Sequence, residues 1–263
     1  MALMCSTSMM RSRSLARLPN FRTLARYARG MSRPFRLASH VLRATLAASI
    51  AFAAQAQVAP SPTEQAGYSG LLAAAARGDT ARVASLLAVG APPDARDAHG
   101  RTALHVAAHA ARHDAMRLLV AAGADPNAIE RDRYDIVTIA AVAGDVPTLE
   151  LALKLGGSAK NVTSRYDGTA LIAAAHLGHA EVVRVLMAAG APLDHVNNLG
   201  WTALIESIVL GDGGARHTET RRLLLAAGAN PNLPDRAGQT PLALARSRGY
   251  GDMVRLLLQA GAR

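Results

Sequence analysis

A glycine closing a run of Leu and Ala recurs six times, at Gly90, Gly123, Gly157, Gly190, Gly228 and Gly261, at intervals of 33, 34, 33, 38 and 33 residues. Self-similarity at a period of this size marks a stack of small units, and it constrains the fold more tightly than any other feature of the chain. Twelve residues after each of the first five glycines stands a helix-start residue: Thr102, Asp135, Thr169, Thr202 and Thr240, with Ser69 in the same place ahead of Gly90. The side-chain oxygen of such a residue accepts from an orphan backbone N–H, worth about 1 kcal/mol. Leu and Ala then recur at three- and four-residue spacing, as in LHVAAHAA and MRLLVAAG, which predicts short paired helices. The terminal glycine supplies the left-handed backbone that ends the second helix, where another residue costs about 1 kcal/mol. Four residues beyond it lie Asp94, Asn127, Asn161, Asp194 and Asn232, types suited to a tight turn. A unit of helix, turn, helix and extended turn cannot bury its own apolar faces, so neighbours must stack. Half the residues are apolar but only 3% are aromatic, which suits closely packed Ala- and Leu-rich helices.

The segments GRTALHVAA…LLVAAGADPN, DGTALIAAAHLGHAEVVRVLMAAGAPLD and GQTPLALA…VRLLLQAGA closely resemble the ankyrin repeat. The resemblance runs over residues 67–263 and recurs about six times. It implies an all-α ankyrin-repeat solenoid of stacked helix-turn-helix units with short β-hairpin or loop fingers, and a chain that binds protein without catalysis. Two units depart from the pattern. The third has Asp135-Ile136-Val137-Thr138 at its helix start and Arg133 where Gly is usual. The fifth carries five extra residues between its helices, around Gly211 to Ala215, expected to form a surface loop away from the hairpin tips.

The formal charge of +10 belongs to the leader. Residues 1–56 hold nine Arg, no Lys and no acid, leaving 20 basic against 19 acidic residues in the rest. A nearly neutral body has no strong pull on a phosphate backbone, so no nucleic-acid partner is expected. Cys5, the single cysteine, also lies in the leader, which excludes a disulfide or thiolate metal site from the body.

Arg33, Arg36 and Arg43, the apolar run Ala44–Ala54, and Ala54-Gln55-Ala56 make up a signal-peptide pattern over residues 31–56, with cleavage expected between Ala56 and Gln57. Eleven apolar residues rise about 16 Å as a helix, half a hydrocarbon core, so no stable membrane span is expected after cleavage. Residues 1–30 precede an internal Met31, at which translation starts on one reading; a mitochondrial transit peptide is the other reading of the Arg- and Ser-rich leader. Residues 57–66 read as a linker to a repeat domain over 67–263.

His105, His109 and His113 stand at i, i+4 and i+8, but the first helix should end near Ala110 and break the row. Asp212, His217 and Glu219 flank the fifth-unit insert and are the alternative of another class, a metal-binding protein or hydrolase. There is no Gly-x-Ser-x-Gly, no His-Glu-x-x-His and no body cysteine, so no catalytic residue, metal or cofactor is assigned.

Carried over by position, the resemblance places partner contacts on the tips at Asp97, His99, Arg101, Arg131, Arg133, Tyr134, Arg165, Tyr166, Asn198, Trp201 and Arg236. Tyr, Trp and Arg dominate interface energetics. The inner column Ala76, His109, Val142, His176, Val209 and Ser247 is small and mostly uncharged, favouring a protein surface. The expectation is a monomeric periplasmic or secreted scaffold that holds or inhibits a protein partner, or else an effector that binds host proteins.

Overall fold

The computed structural model describes residues 59–263; the leader and its cleavage site lie outside them. Among the described residues, α1 (Pro62–Gly67) is followed by six helical hairpins. These are α2 (Gly70–Arg77) with α3 (Thr80–Ala88), α4 (Ala103–His109) with α5 (His113–Ala121), and α6 (Ile136–Ala143) with α7 (Val146–Lys154). Then come α8 (Ala170–Leu177) with α9 (Ala180–Ala188), α10 (Ala203–Val209) with α11 (Ala215–Ala226), and α12 (Pro241–Ser247) with α13 (Gly251–Gln259). Successive first helices pack side by side, each backed by its own second helix, as an all-α solenoid requires.

The repeated helix starts are caps. The side chains of Thr102, Asp135, Thr169, Thr202 and Thr240 accept from the backbone N–H of His105, Thr138, Ile172, Ile205 and Ala243. Ser69 precedes α2 without a side-chain bond. In the third unit the helix-closing glycine is Gly156, at φ 97°, and not Gly157. The helix ends at Lys154, so the left-handed position falls on the first of the two glycines, while Gly157 N–H bonds back to the Ala152 carbonyl. The one-residue irregularity therefore moves out of the helix and into the following finger.

Among the described residues, that finger is the one that forms a regular hairpin. β1 (Val162–Thr163) pairs antiparallel with β2 (Gly168–Thr169), Val162 opposite Thr169. The first finger has a single bridge, Arg96 to Thr102.

Two other expectations change. Within the segment read as a linker, α1 is capped by a reciprocal box: Ser61 N–H donates to the Glu64 carboxylate, and Glu64 N–H to Ser61 Oγ. The fifth-unit insert is not simply a surface loop. It is shared between the connection Leu210–Gly214 and α11, which has 12 residues where the other second helices have nine. Gly211 is buried, and Tyr250 Oη donates to its carbonyl at 3.0 Å.

The apolar core divides at this unit. One cluster runs from Leu71 to Ala229, and a second joins Leu204, Ile205 and Ile208 to Leu242, Met253 and Leu257. Arg221 sits on the helix row that holds Val83, Met116, Leu149 and Val183 in the first four units, and is 1% exposed. Its guanidinium donates to the Ser207 carbonyl at 2.8 Å and lies over the Tyr250 ring, but Nε has no partner.

Candidate protein-binding site

Each finger tip is a four-residue turn closed by its own first side chain. The backbone bonds run from Gly100 N–H to the Asp97 carbonyl, Arg133 to Glu130, Asp167 to Ser164, Gly200 to Asn197 and Gly238 to Asp235. The side chains of Asp97, Glu130, Asn197 and Asp235 also accept two further N–H groups, one inside the turn and one from the residue after it, and Ser164 Oγ accepts one inside it. This is local Asx-type closure, worth more at a turn than in a helix. Arg133 takes the glycine slot in the left-handed region at φ 67°.

Neighbouring tips are tied through backbone. Arg131 N–H donates to the His99 carbonyl at 2.9 Å, Ser164 N–H to Arg133 at 3.0 Å, and Asn198 N–H to Tyr166 at 2.8 Å. Below the tips, the Asp and Asn residues that follow the repeated glycines do more than turn the chain. Asp94 accepts from Asp125 N–H, Asn127 from Ser158 N–H, Asp194 from Asn230 N–H, and Asn232 from Arg263 N–H, four links from one unit to the next.

The eleven positions expected on the tips separate into two sets. His99, Arg131, Arg133, Arg165 and Arg236 are exposed, while Tyr166, Asn198 and Trp201 are half-buried, Trp201 against the second core cluster. Arg165 pairs with Asp132 at 2.6 Å and Arg133 with Asp167 at 3.5 Å. Arg131 and Arg236 make no ion pair among the described residues. Arg101 and Tyr134 do not stand on the outer surface of the tips: they are 4% and 9% exposed. Asp97 is also turned inward, its carboxylate bound by Arg101 Nε at 2.8 Å and Tyr68 Oη at 2.9 Å.

The reason is a partner that the repeat pattern does not contain. Arg101 reaches Glu64 of α1 at 2.5 Å, and His99 Nε2 meets the same oxygen at 2.9 Å. Hydrogen bonds from Ser61, and then from Arg101, lower the Glu64 pKa to about 2. Burial alone would raise the Asp97 carboxyl, but Arg101 and the turn N–H groups hold it below the usual range. Nothing in residues 57–66 taken alone signals this role; the Ser61-to-Glu64 spacing of a capping box was the available clue.

Beside this contact is a cavity of about 380 Å³. Glu64, His99 and Arg101 line one side, Glu130, Asp132 and Tyr134 the other, and His109 of the inner column reaches it from α4. Burial, with a smaller push from His105 and Arg101, lowers the His109 pKa to about 4, so the imidazole is neutral near pH 7.

The histidine rows resolve into structural contacts. His105 Nδ1 accepts from Thr102 N–H and Nε2 donates to the Tyr134 carbonyl; His113 bonds Thr148 Oγ1. His217 Nδ1 meets Asp212 at 2.7 Å and Nε2 donates to the His176 carbonyl at 2.8 Å, while Glu219 turns away to Arg222. No three His, Cys, Asp or Glu converge as metal ligands among the described residues, and no helix among them is long and apolar enough to cross a membrane.

A six-hairpin stack with capped Thr starts and bonded fingers is matched by the family described as "Ankyrin repeats (3 copies)" over residues 46–130 and 137–235, and by "Ankyrin repeat" over 237–263. The chain belongs to the ankyrin-repeat family. The ankyrin repeat protein YahD of Escherichia coli (strain K12) is 36% identical over 192 residues, 73% of this chain and 95% of that protein. The crystal structure of an ankyrin repeat domain from Acinetobacter baumannii AYE has 47% identity and a TM-score of 0.70, covering 73% of this chain and 98% of that one. The ankyrin repeat domain of Bcl-3 has 29% identity and a TM-score of 0.67, over 75% and 88% of the two chains. Ankyrin repeats mediate protein–protein interaction, and this stack is a scaffold of that kind.

Proposed function

We propose that this ankyrin protein is an exported, non-enzymatic scaffold that holds a protein partner in the periplasm or outside the cell. The observation that carries this reading is the finger row. Backbone bonds fix the second, third and fourth tips to their neighbours, and the exposed set is His99, Arg131, Arg133, Arg165 and Arg236. A preorganised ridge of arginines loses little freedom on binding, which is how such surfaces gain affinity. Among the described residues, His105, His113, His179, His195 and His217 are engaged in caps and in contacts between units. The Arg-rich start, the Ala44–Ala54 run and Ala54-Gln55-Ala56 support export.

The test is affinity capture by the tagged full chain, expressed in its native host, from the envelope fraction and culture medium, with N-terminal sequencing of the processed protein. A stoichiometric partner lost in an Arg131→Ala, Arg165→Ala, Arg236→Ala variant of unchanged helical circular dichroism is expected, with the mature terminus at Gln57. Equal capture by that variant, or a terminus far from Gln57, overturns the reading.

A further inference from the structure

The cavity between α1 and the first two fingers has a chemistry opposite to the ridge outside it. Arg101 cancels one of Glu64 and Asp97, and Arg165 cancels Asp132. Glu130 has no cation within ion-pair distance among the described residues, although its two oxygens accept N–H groups from Asp132 and Tyr134. Two negative charges are left over before any charge on His99 is counted. The cationic donors on the walls are already committed: the Arg101 guanidinium is held by Glu64 and Asp97, and His99 Nε2 by Glu64.

A second observation is independent of charge. Tyr134 is nine-tenths buried and lines the cavity, and its hydroxyl, which bonds no group among the described residues, opens into it. Burial raises the Tyr134 pKa, so the group stays a neutral hydroxyl, able to accept as well as donate. Neutral His109 brings one ring nitrogen with a lone pair beside one N–H, and it too bonds nothing among the described residues. Walls whose carboxylates outnumber their cations call for a cationic donor.

We propose that this cavity receives the cationic side chain, arginine or lysine, of a partner protein seated on the fingers. Both side chains are donors without acceptors, and the unanswered negative charge supplies their counter-ion. The volume accommodates one such side chain with the end of its stem. The ridge and the cavity then read different parts of a partner: acidic groups outside, one basic residue within. The proposal rests on the protein-holding function, but the site can be tested without any partner.

The full chain is titrated with Nα-acetyl-arginine amide and followed by amide NMR, with Nα-acetyl-citrulline amide as the neutral isostere and spermidine as a free polyamine. Saturable shifts at Arg101, His109 and Glu130–Tyr134 are expected, with a Kd of about 1 mM, the affinity of a few charge-assisted hydrogen bonds. The citrulline compound should bind at least tenfold more weakly. Tyr134→Phe, which disturbs no bond of the fold, should weaken arginine binding about threefold, and Glu130→Gln about tenfold with circular dichroism unchanged. Equal binding of citrulline, or no shift at these residues, overturns the site; tighter binding of spermidine than of the arginine amide overturns the side chain as its occupant. Neither result bears on capture by the arginine ridge, which the Arg131, Arg165 and Arg236 variant tests on its own.

Discussion

The imidazole of His179 lies against Gly144, its Cε1 3.0 Å from where a Cβ would stand, and its Nε2–H donates to the Val142 carbonyl at 3.2 Å. The same relation joins His217 to Gly178 and Tyr250 to Gly213, so a ring from one unit sits on the glycine of the unit before. Gly144 is also left-handed, at φ 69°. Gly144→Ala should therefore cost about 1–3 kcal/mol, from the left-handed penalty and the displaced ring together. Urea unfolding of wild type and variant measures it; a shift under half a kilocalorie would show that the ring moves aside freely.

Ala111 holds the equivalent left-handed place in the second unit, at φ 51°, where an L side chain is strained. Ala111→Gly should stabilise the protein by about 0.5–1 kcal/mol, the relief exceeding the added freedom of the unfolded chain. A lowered melting temperature would contradict this.

Arg101 anchors α1. Its side chain is 5% exposed and joins two carboxylates. Arg101→Ala leaves Asp97 buried without its cation, a change worth about 3–5 kcal/mol. Hydrogen exchange at Glu64–Tyr68 should rise before that of α4. Arg101→Lys should recover only part of the protection, because one ammonium cannot reproduce two divergent guanidinium contacts.

The histidines set an acid limit. The His109 pKa falls from 6.5 to about 4 on folding, and burial lowers His105 and His179 as well. A depressed histidine binds its proton in the unfolded chain first. Stability is therefore full above pH 6.5 and declines as pH drops toward 4, by roughly 3 kcal/mol for His109. Glu64 acts lower still: its stabilisation is present above pH 4.5 and is lost as pH falls through about 2. His109→Leu should flatten the unfolding free energy between pH 6.5 and 4, and an unchanged slope would assign it to other groups.

Arg221 stands where the five other units place an apolar side chain, Val83, Met116, Leu149, Val183 and Val254. Burial lowers its pKa and Nε is unpaired. Arg221→Met should be neutral or stabilising by about 1–2 kcal/mol, as for other buried charges replaced by an apolar chain of similar length. Loss of stability beyond that range would show that the Ser207 and Tyr250 contacts dominate.

Caps and closing glycines were legible because each is decided within a few residues: Thr102 caps His105 wherever the rest of the stack lies. The choice between Gly156 and Gly157 was not, since it depends on where α7 runs out. Arg101 and Tyr134 look like ridge residues by position, and only the fold brings Glu64, 37 residues away and outside the repeat, to draw Arg101 inward. The extra turn of α11 was hidden for a similar reason. A Gly-rich stretch reads as loop, whereas Ala215 to Thr218 join the helix once His217 finds the His176 carbonyl.

The bonds from Arg131 to His99, Ser164 to Arg133 and Asn198 to Tyr166 involve main chain alone. The spacing between successive contact points is thus written in a part of the molecule that substitution does not touch, while the message at each point is carried by a replaceable side chain. Such a row works like movable type in a fixed frame: a lineage can reset one character without shifting the others, and a partner must match the pitch before any letter is read.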